Sequence, residues 1–406
     1  MVRSIALPRW FFAVLGTLCA SFAHAEPRAT WVGVWQGTVG KAEVRVCLQS
    51  SYEVQGAYYY TRYLGLIPLS VDGKTPKADA ATVVLNETAA GRGKGDDGIV
   101  WSLHAAVDGR SLEGTWRGRA KELPVRLVRM PEPAPPKAGA EEPTPACESD
   151  AFNEPRERPA RLRTADAKVQ GGPTAYRALS LDFGDRHGAE VTSFELLRDD
   201  AGARRLNAAM RKALMNEQES VFGCTRSALG QFGSEGEYSA RVEPVLVGRH
   251  WLVSRSSGSN SCGGAHPNAY TGYQTWNLDE GRPVDPWTWF GPKGAAVKVQ
   301  GEGDSRYTTV EMSDALKALL AKAWPRDDEG CKEVPEEGGS SWQAYPSPQG
   351  MVFMPELPHV IYACTEEVTL PWPQVLPLLS PQGRKAAEAA RADLAAQSRS
   401  GAPSGK

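Results

Sequence analysis

The chain has 406 residues, with 46 Lys+Arg against 48 Asp+Glu and a formal net charge of −2. That balance excludes a basic nucleic-acid binder, and 41% hydrophobic with 23% charged residues places the chain among globular proteins. The 41 Gly and 30 Pro predict many turns.

Residues 1–25 read as an export signal. Arg3 and Arg9 precede an apolar run from Trp10 to Phe22, and Ala23-His24-Ala25 supplies a small-x-small cleavage pattern. The run is too short to span a membrane. A lipobox ending at Cys19 is the alternative, but Leu18 stands where a small residue is needed. Cleavage removes Arg3 and Arg9, leaving 44 basic against 48 acidic residues and a net charge of −4. It also removes Cys19. Cys47, Cys147, Cys224, Cys262, Cys331 and Cys364 remain, and an even count in an oxidising compartment predicts three disulfides. The expected location is periplasmic or secreted, with no transmembrane segment in the mature chain.

Residues 26–130 read as an all-β domain, a barrel or sandwich. Val44, Val46 and Leu48 alternate with Arg45, Cys47 and Gln49, the period of a half-buried strand. Further strands are expected at Gly56–Tyr63, Leu66–Val71, Thr82–Leu85, Trp101–Val107, Leu112–Gly118 and Pro124–Val128. The opening Trp31-Val-Gly-Val-Trp-Gln-Gly resembles the first strand of calycin-like barrels. Residues 131–146 hold six Pro and no aromatic or branched aliphatic residue, the composition of a linker.

Residues 147–390 mix helices and strands, so the predicted class is α+β with an antiparallel sheet. Strands are expected at Val191–Leu197, Tyr238–Val247, His250–Arg255, Tyr273–Leu278, Met351–Met354 and Val360–Ala363. Ala201–Phe222 reads as a helix with Leu206, Met210, Ala213 and Leu214 on one face. A second helix runs from an N-cap at Ser313 to a stop at Pro325, with Leu316, Leu319, Leu320 and Trp324 on its face. A short helix follows Pro371, and Gln382–Gln397 reads as an Ala-rich helix. Residues 391–406 are assigned to a flexible tail.

The order of short motifs in this second part is familiar. A helix holds Arg205-Leu-Asn, and a hairpin ends in Gly263-Gly-Ala-His-Pro-Asn. Thr275-Trp-Asn-Leu-Asp-Glu-Gly-Arg-Pro-Val-Asp and Trp287-Thr-Trp-Phe follow. Gly350-Met-Val-Phe-Met-Pro and Val368-Thr-Leu-Pro-Trp-Pro-Gln-Val-Leu come last. Across most of 185–382 this order resembles the C-terminal domain of RsiV-type anti-sigma factors, the DUF3298 type, which also occurs beside peptidoglycan deacetylase domains. Its best-understood member binds lysozyme outside the cell. The resemblance implies a module for an extracytoplasmic protein or peptidoglycan rather than an enzyme. The chain departs from the family in lacking a transmembrane segment and in carrying cysteines at 224, 262, 331 and 364.

No catalytic constellation stands out. Ser256–Asn268 is the most unusual stretch, and an envelope hydrolase using Ser261 and His266 is the alternative function. A nucleophile elbow needs Gly-x-Ser-x-Gly at a strand-to-helix turn, whereas Ser259 replaces the first Gly here. His266 and His359 lie far apart and no His-Glu-x-x-His or Cys-x-x-Cys is present, so neither metal nor cofactor is expected. The adjacent Glu366 and Glu367 point to opposite faces if extended. The candidate binding residues are His266, Asn268, Tyr270, Trp287, Trp289 and His359, the aromatic members as anchors. Cys331 pairs with Cys364 as neighbours in the late segment, Cys224 with Cys262, and Cys47 with Cys147. A purely structural envelope protein is the third possibility.

Overall fold

The computed structural model describes residues 31–50, 54–71, 80–87, 98–131, 144–301, 307–326, 330–337 and 341–400. Residues 1–25, where an export signal is expected, and most of the proline-rich segment lie outside the described residues. The fold is an eight-stranded β-barrel joined to an α+β unit.

The barrel comprises β1 (Gly33–Val39), β2 (Ala42–Ser50), β3 (Val54–Tyr60), β4 (Ile67–Ser70), β5 (Thr82–Glu87), β6 (Val100–Ala105), β7 (Ser111–Arg117) and β8 (Glu122–Arg129). Each strand pairs antiparallel with the next, and β8 returns to β1 to close the ring. Closure removes the sheet edges. The interior is filled with side chains, among them Trp35, Val46, Tyr58, Leu85, Trp101 and Leu103. Glu87 gathers the polar ends of this core: its Oε1 accepts from Tyr58 Oη at 2.7 Å, Trp101 Nε1 at 2.9 Å and Trp116 Nε1 at 2.6 Å. Arg129 lies 4.3 Å over the Trp35 ring and donates to the carbonyls of Val32 and Gly109.

After the barrel come α1 (Asp150–Asn153), β9 (Arg161–Thr164), β10 (Val169–Gly171), β11 (Thr174–Asp182), β12 (Glu190–Leu196), α2 (Ala201–Phe232), β13 (Glu237–Val247), β14 (Trp251–Ser261), β15 (Asn268–Asn277) and β16 (Arg282–Val284). These strands form one sheet in the order β10-β11-β12-β13-β14-β15-β16, with β9 also on β11. It is antiparallel except where β12 meets β13 in parallel. That pairing demands a crossover, and α2 supplies it. Asp200 caps the start of α2 by accepting from Ala203 N, and Gly233, at φ 64°, ends it. The helix therefore runs ten residues past Phe222, because Gly233 is the first position that stops it.

The remaining elements are β17 (Ala295–Gln300), β18 (Tyr307–Met312), α3 (Asp314–Ala323), α4 (Val334–Glu337), β19 (Trp342–Pro346), β20 (Gly350–Pro355), β21 (Val368–Pro371), α5 (Trp372–Val375) and α6 (Pro381–Ser400). A core containing Leu316, Phe353, Leu370, Trp372 and Ala387 joins them to Trp287 and Trp289. Two expectations are corrected here. Val360–Ala363 is not a strand but part of a 3-10 turn, His359–Cys364. Pro358 precedes it, Cys364 is tied to Cys331, and Val360 is 87% exposed while its neighbour Ile361 packs against the core, so the apolar side chains do not alternate as on a half-buried strand. Residues 391–400 are not a tail but the end of α6. Leu394 is buried there, and the Asp393 carboxylate accepts backbone N–H groups of Arg249 at 3.0 Å and of His250 and Trp251 at 2.8 Å.

Disulfides join Cys47–Cys147, Cys224–Cys262 and Cys331–Cys364. The first lies in a buried seam between barrel and α+β unit, with Val34, Ala57, Tyr59, Phe152 and Leu229. Here the outward faces of β2 and β3 are buried as well as the inward ones. Gln49 donates to the carbonyls of Leu229 at 3.0 Å and Gly230 at 2.8 Å, satisfying the end of α2. Tyr59 Oη donates to Phe152 O at 2.8 Å. Arg156, fully buried, donates to Leu64 O at 3.0 Å and Glu235 at 2.8 Å, and also to Arg186 O. His187 lies beside it, Nδ1 3.3 Å from Glu235 and Nε2 3.2 Å from Arg156 O.

Two outcomes are expected. Glu87→Ala orphans three donors and lowers stability by about 3 kcal/mol, measured by denaturant unfolding followed through tryptophan fluorescence. A change below about 0.5 kcal/mol refutes the role given to Glu87. Burial pushes the Tyr59 hydroxyl up to about 12, against the opposing pull of Arg45 and Arg156. The folded value exceeds the unfolded one of about 10, so this contribution is complete below pH 10 and lost as pH rises towards 12. Tyr59→Phe cannot ionise and should show a shallower loss of stability over that range.

Candidate functional site

The register of β15 creates an opening. One side pairs with β14 from Asn268 to Asn277, but on the other side β16 pairs only with Thr275, Trp276 and Asn277. The strand edge before Thr275 meets β19 instead. Gln343 Oε1 accepts from Tyr273 N at 2.6 Å, as a neighbouring strand's carbonyl would. Gln343 Nε2 donates to Glu356 at 2.7 Å, which fixes the amide's orientation.

Between β15, the stretch after β16 and β19 lies a cleft of about 500 Å³. Asp285 caps the 3-10 turn Pro286–Trp289 by accepting from Trp287 N at 3.0 Å. That turn presents Trp287, whose Nε1 donates to Trp342 O at 2.7 Å. Trp287 and Trp342 form an aromatic floor, with Pro283, Val284 and Pro286 on one side. Thr275 stands in the wall at 1% exposure, and its hydroxyl has no hydrogen-bond partner.

Tyr273 stacks on Tyr345 at 4.3 Å between centroids, with the planes 27° apart. Both hydroxyls donate to Glu367, Tyr345 at 2.8 Å. Burial, then the bond to Glu367, pushes Tyr273 up to about 12 and also raises Tyr345. Both therefore remain neutral donors at physiological pH. Glu366 pairs instead with Arg326 at 3.0 Å, so the adjacent carboxylates do separate.

The structure brings only Trp287 of the candidate residues to this cleft. Trp287 and Trp289 are each 4% exposed, so neither is a protruding anchor. Trp287 is floor and Trp289 is core, edge-on to Trp251 at 5.5 Å. Indole side chains carry a large apolar area, and both residues bury it in the core that holds Phe353 and Trp372. His266, Asn268 and Tyr270 lie around the other end of β15, roughly 20 Å along the strand from Thr275. Tyr270, 37% exposed, covers Gly258, where a Cβ would come within 2.7 Å of its ring. His359 opens the 3-10 turn before Cys364. Thr275, Asp285, Gln343 and Tyr345 are not among the candidate residues read from the sequence, and Glu367 is legible there only as half of the adjacent Glu366–Glu367 pair. Thr275 and Asp285 bound the Thr275–Asp285 motif, which is the signal the sequence offers for them.

Cys262 is oxidised with Cys224, and Ser261 ends a strand rather than a strand-to-helix turn. Among the described residues, no three His, Cys, Asp or Glu side chains form a metal-binding group. No helix there is long and apolar enough to cross a membrane.

No family model matches the chain, and no curated protein matches it. Among solved structures it is similar to a DUF3298 family member from Bacteroides fragilis NCTC 9343, at 15% identity and TM-score 0.36, over 55% of this chain and 95% of that one. A DUF3298 family protein from Pseudomonas aeruginosa PAO1 is similar at 14% identity and TM-score 0.33, over 56% and 98%. This is the family that the motif order resembles. Likeness at this level leaves the chemistry of the cleft to the chain's own residues.

Thr275→Val replaces an orphaned hydroxyl with a methyl of the same shape. Stability should hold or rise by up to about 1 kcal/mol in thermal or denaturant unfolding. A loss above that amount would mean the hydroxyl is bonded.

Proposed function

We propose that the chain is an exported, non-catalytic binding protein of the bacterial envelope, whose α+β unit holds part of an extracytoplasmic protein. The observation that carries this reading is the open cleft of about 500 Å³, with an aromatic floor and hydrogen-bonded walls. Binding sites of this kind combine apolar surface with a few fixed polar groups. Its walls come from ordered strands, which favours a preformed site. The oxidised state of Cys262 removes the thiol that a cysteine hydrolase would need. Three disulfides suit an oxidising compartment, which agrees with export through residues 1–25. The filled barrel then serves as a buttress, divided from the α+β unit near residues 131–146.

The chain without its first 25 residues, immobilised and exposed to lysozyme, peptidoglycan and envelope extracts, tests this. A protein should be retained by the wild type and lost from Val284→Trp, which fills the cleft. A fluorophosphonate probe should leave Ser261 unlabelled. Retention of peptidoglycan alone replaces the protein ligand by a wall ligand. Labelling of Ser261 with turnover of wall substrates overturns the reading.

A further inference from the structure

The edges of the large sheet are guarded unequally. On one side β9 carries Arg161 and Arg163, and on the other β16 carries Arg282 and Pro283. Charge and proline on an edge discourage a further strand. β15 has neither: from Asn268 to Asn277 it holds no Lys, Arg, Asp, Glu or Pro. β16 pairs with it only at Thr275, Trp276 and Asn277, so the edge from Asn268 to Gln274 has no strand hydrogen-bonded to it among the described residues. Parity sets which groups face out. Tyr273 N reaches Gln343 across this edge, whereas the carbonyls of Gly272 and Gln274 face β14, where the Ser256 and Ser254 hydroxyls also reach them. Two and four residues back, Thr271 and Ala269 therefore turn their N–H and C=O outward as well. Among the described residues these outward groups meet no backbone partner. Asn268, Ala269 and Tyr270 are exposed.

We infer that this edge takes one extended segment of a partner protein as an added strand along Ala269–Tyr273, an assignment that rests on the protein-binding reading proposed above. The backbone of such a segment alternates donors and acceptors at the spacing the edge presents. The Gln343 amide already fills one place in that row, at Tyr273 N. The row then runs into the cleft, because Tyr273, Gln274 and Thr275 line it. There the floor of Trp287 and Trp342 takes an apolar side chain at the segment's end. A second copy of the chain is the poorer occupant. Tyr362 donates to Thr271 Oγ1 at 3.3 Å, and a Cβ on Gly272 would lie 3.6 Å from the Gln343 amide, so the chain's own turn and strand flank the edge. A second copy brings the same flanks to the same line, whereas a lone segment has none.

The chain lacking residues 1–25, labelled with ¹⁵N, is titrated with acetyl-Thr-Val-Thr-Val-Phe-amide up to about 10 mM, which covers millimolar Kd values. Two further peptides carry N-methyl groups, one on its odd residues and one on its even residues. Amide exchange with water is followed along β15. At about ten times Kd, exchange at Ala269 and Thr271 should slow about tenfold. Tyr270 and Gly272, already in the ladder with β14, should stay unchanged. One N-methyl set should abolish this protection and the other spare it, because only alternate N–H groups of an added strand face the edge. Ala269→Pro deletes an outward donor without touching the ladder, and Ala269→Lys adds the kind of charge that guards β9. Each should weaken peptide binding about tenfold and release the protein captured in the experiment above. Protection of consecutive amides, equal effects of the two methylated peptides, or unchanged binding by both variants overturns the assignment. So does sedimentation as a dimer with Ala269 and Thr271 protected before peptide is added, which gives the edge to a second copy. If both Ala269 variants keep a protein that Val284→Trp loses, the assignment falls and the binding reading stands. If the peptide protects the edge and no protein is captured, the strand site is supported and the protein-binding reading falls.

Discussion

Arg156 holds three pieces of chain that share no sheet. Its guanidinium reaches a barrel carbonyl at Leu64, a loop carbonyl at Arg186 and the carboxylate of Glu235 beyond the end of α2. The side chain is fully buried, so solvent cannot replace any of these partners. Burial lowers its pKa, and Glu235 opposes that shift. Glu235 keeps a quarter of its side chain in solvent, so its removal would strand the buried guanidinium while the carboxylate itself is only partly desolvated. His187 fills the remaining space with both ring nitrogens near acceptors. Barrel and α+β unit therefore meet through a polar lock set within the Cys47–Cys147 seam, not through a loose contact.

This lock sets the conditions for the cleft. α2 is capped at its C-terminal end by Gln49 from the barrel. The same helix is bound at Cys224 to the tip of the β14–β15 hairpin. From the other side, Asp393 on α6 grips the turn that begins β14. β15 is thus fixed through its neighbour at both ends, and its exposed edge is held at Gln343. The cleft walls consequently derive their order from contacts well outside the cleft.

What was legible in the sequence is local in origin. Period-2 alternation from Val44 to Leu48 marks β2, and similar runs mark the barrel strands. Ser313 and Pro325 bracket α3 because a cap and a missing N–H act within one turn. The three cysteine pairs coincide with those reasoned from count and placement. Polar strands escaped: β9 has the pattern Arg161-Leu-Arg-Thr, with only Leu162 turned towards a core. Val360-Ile-Tyr-Ala looked like a strand by composition, yet Pro358 and the Cys364 bond bend it. The cleft was the least legible part. Tyr273, Trp287, Gln343 and Glu367 lie up to 94 residues apart and meet only through tertiary packing. Aromatic content pointed to Trp287 but could not separate floor from anchor.

The Cys47–Cys147 bond spans a sequence separation of 100 residues and encloses the whole proline-rich stretch. That stretch is consequently part of a covalent ring, not a tether on which two bodies hang. Lengthening it leaves the reach of one unit from the other unchanged, since the sulfur bridge sets that distance. A single cut within residues 132–143 does not release the barrel, and the nicked chain keeps its mass until thiol reduction separates the fragments. The segment most open in composition is thereby the one whose cleavage matters least to the assembly.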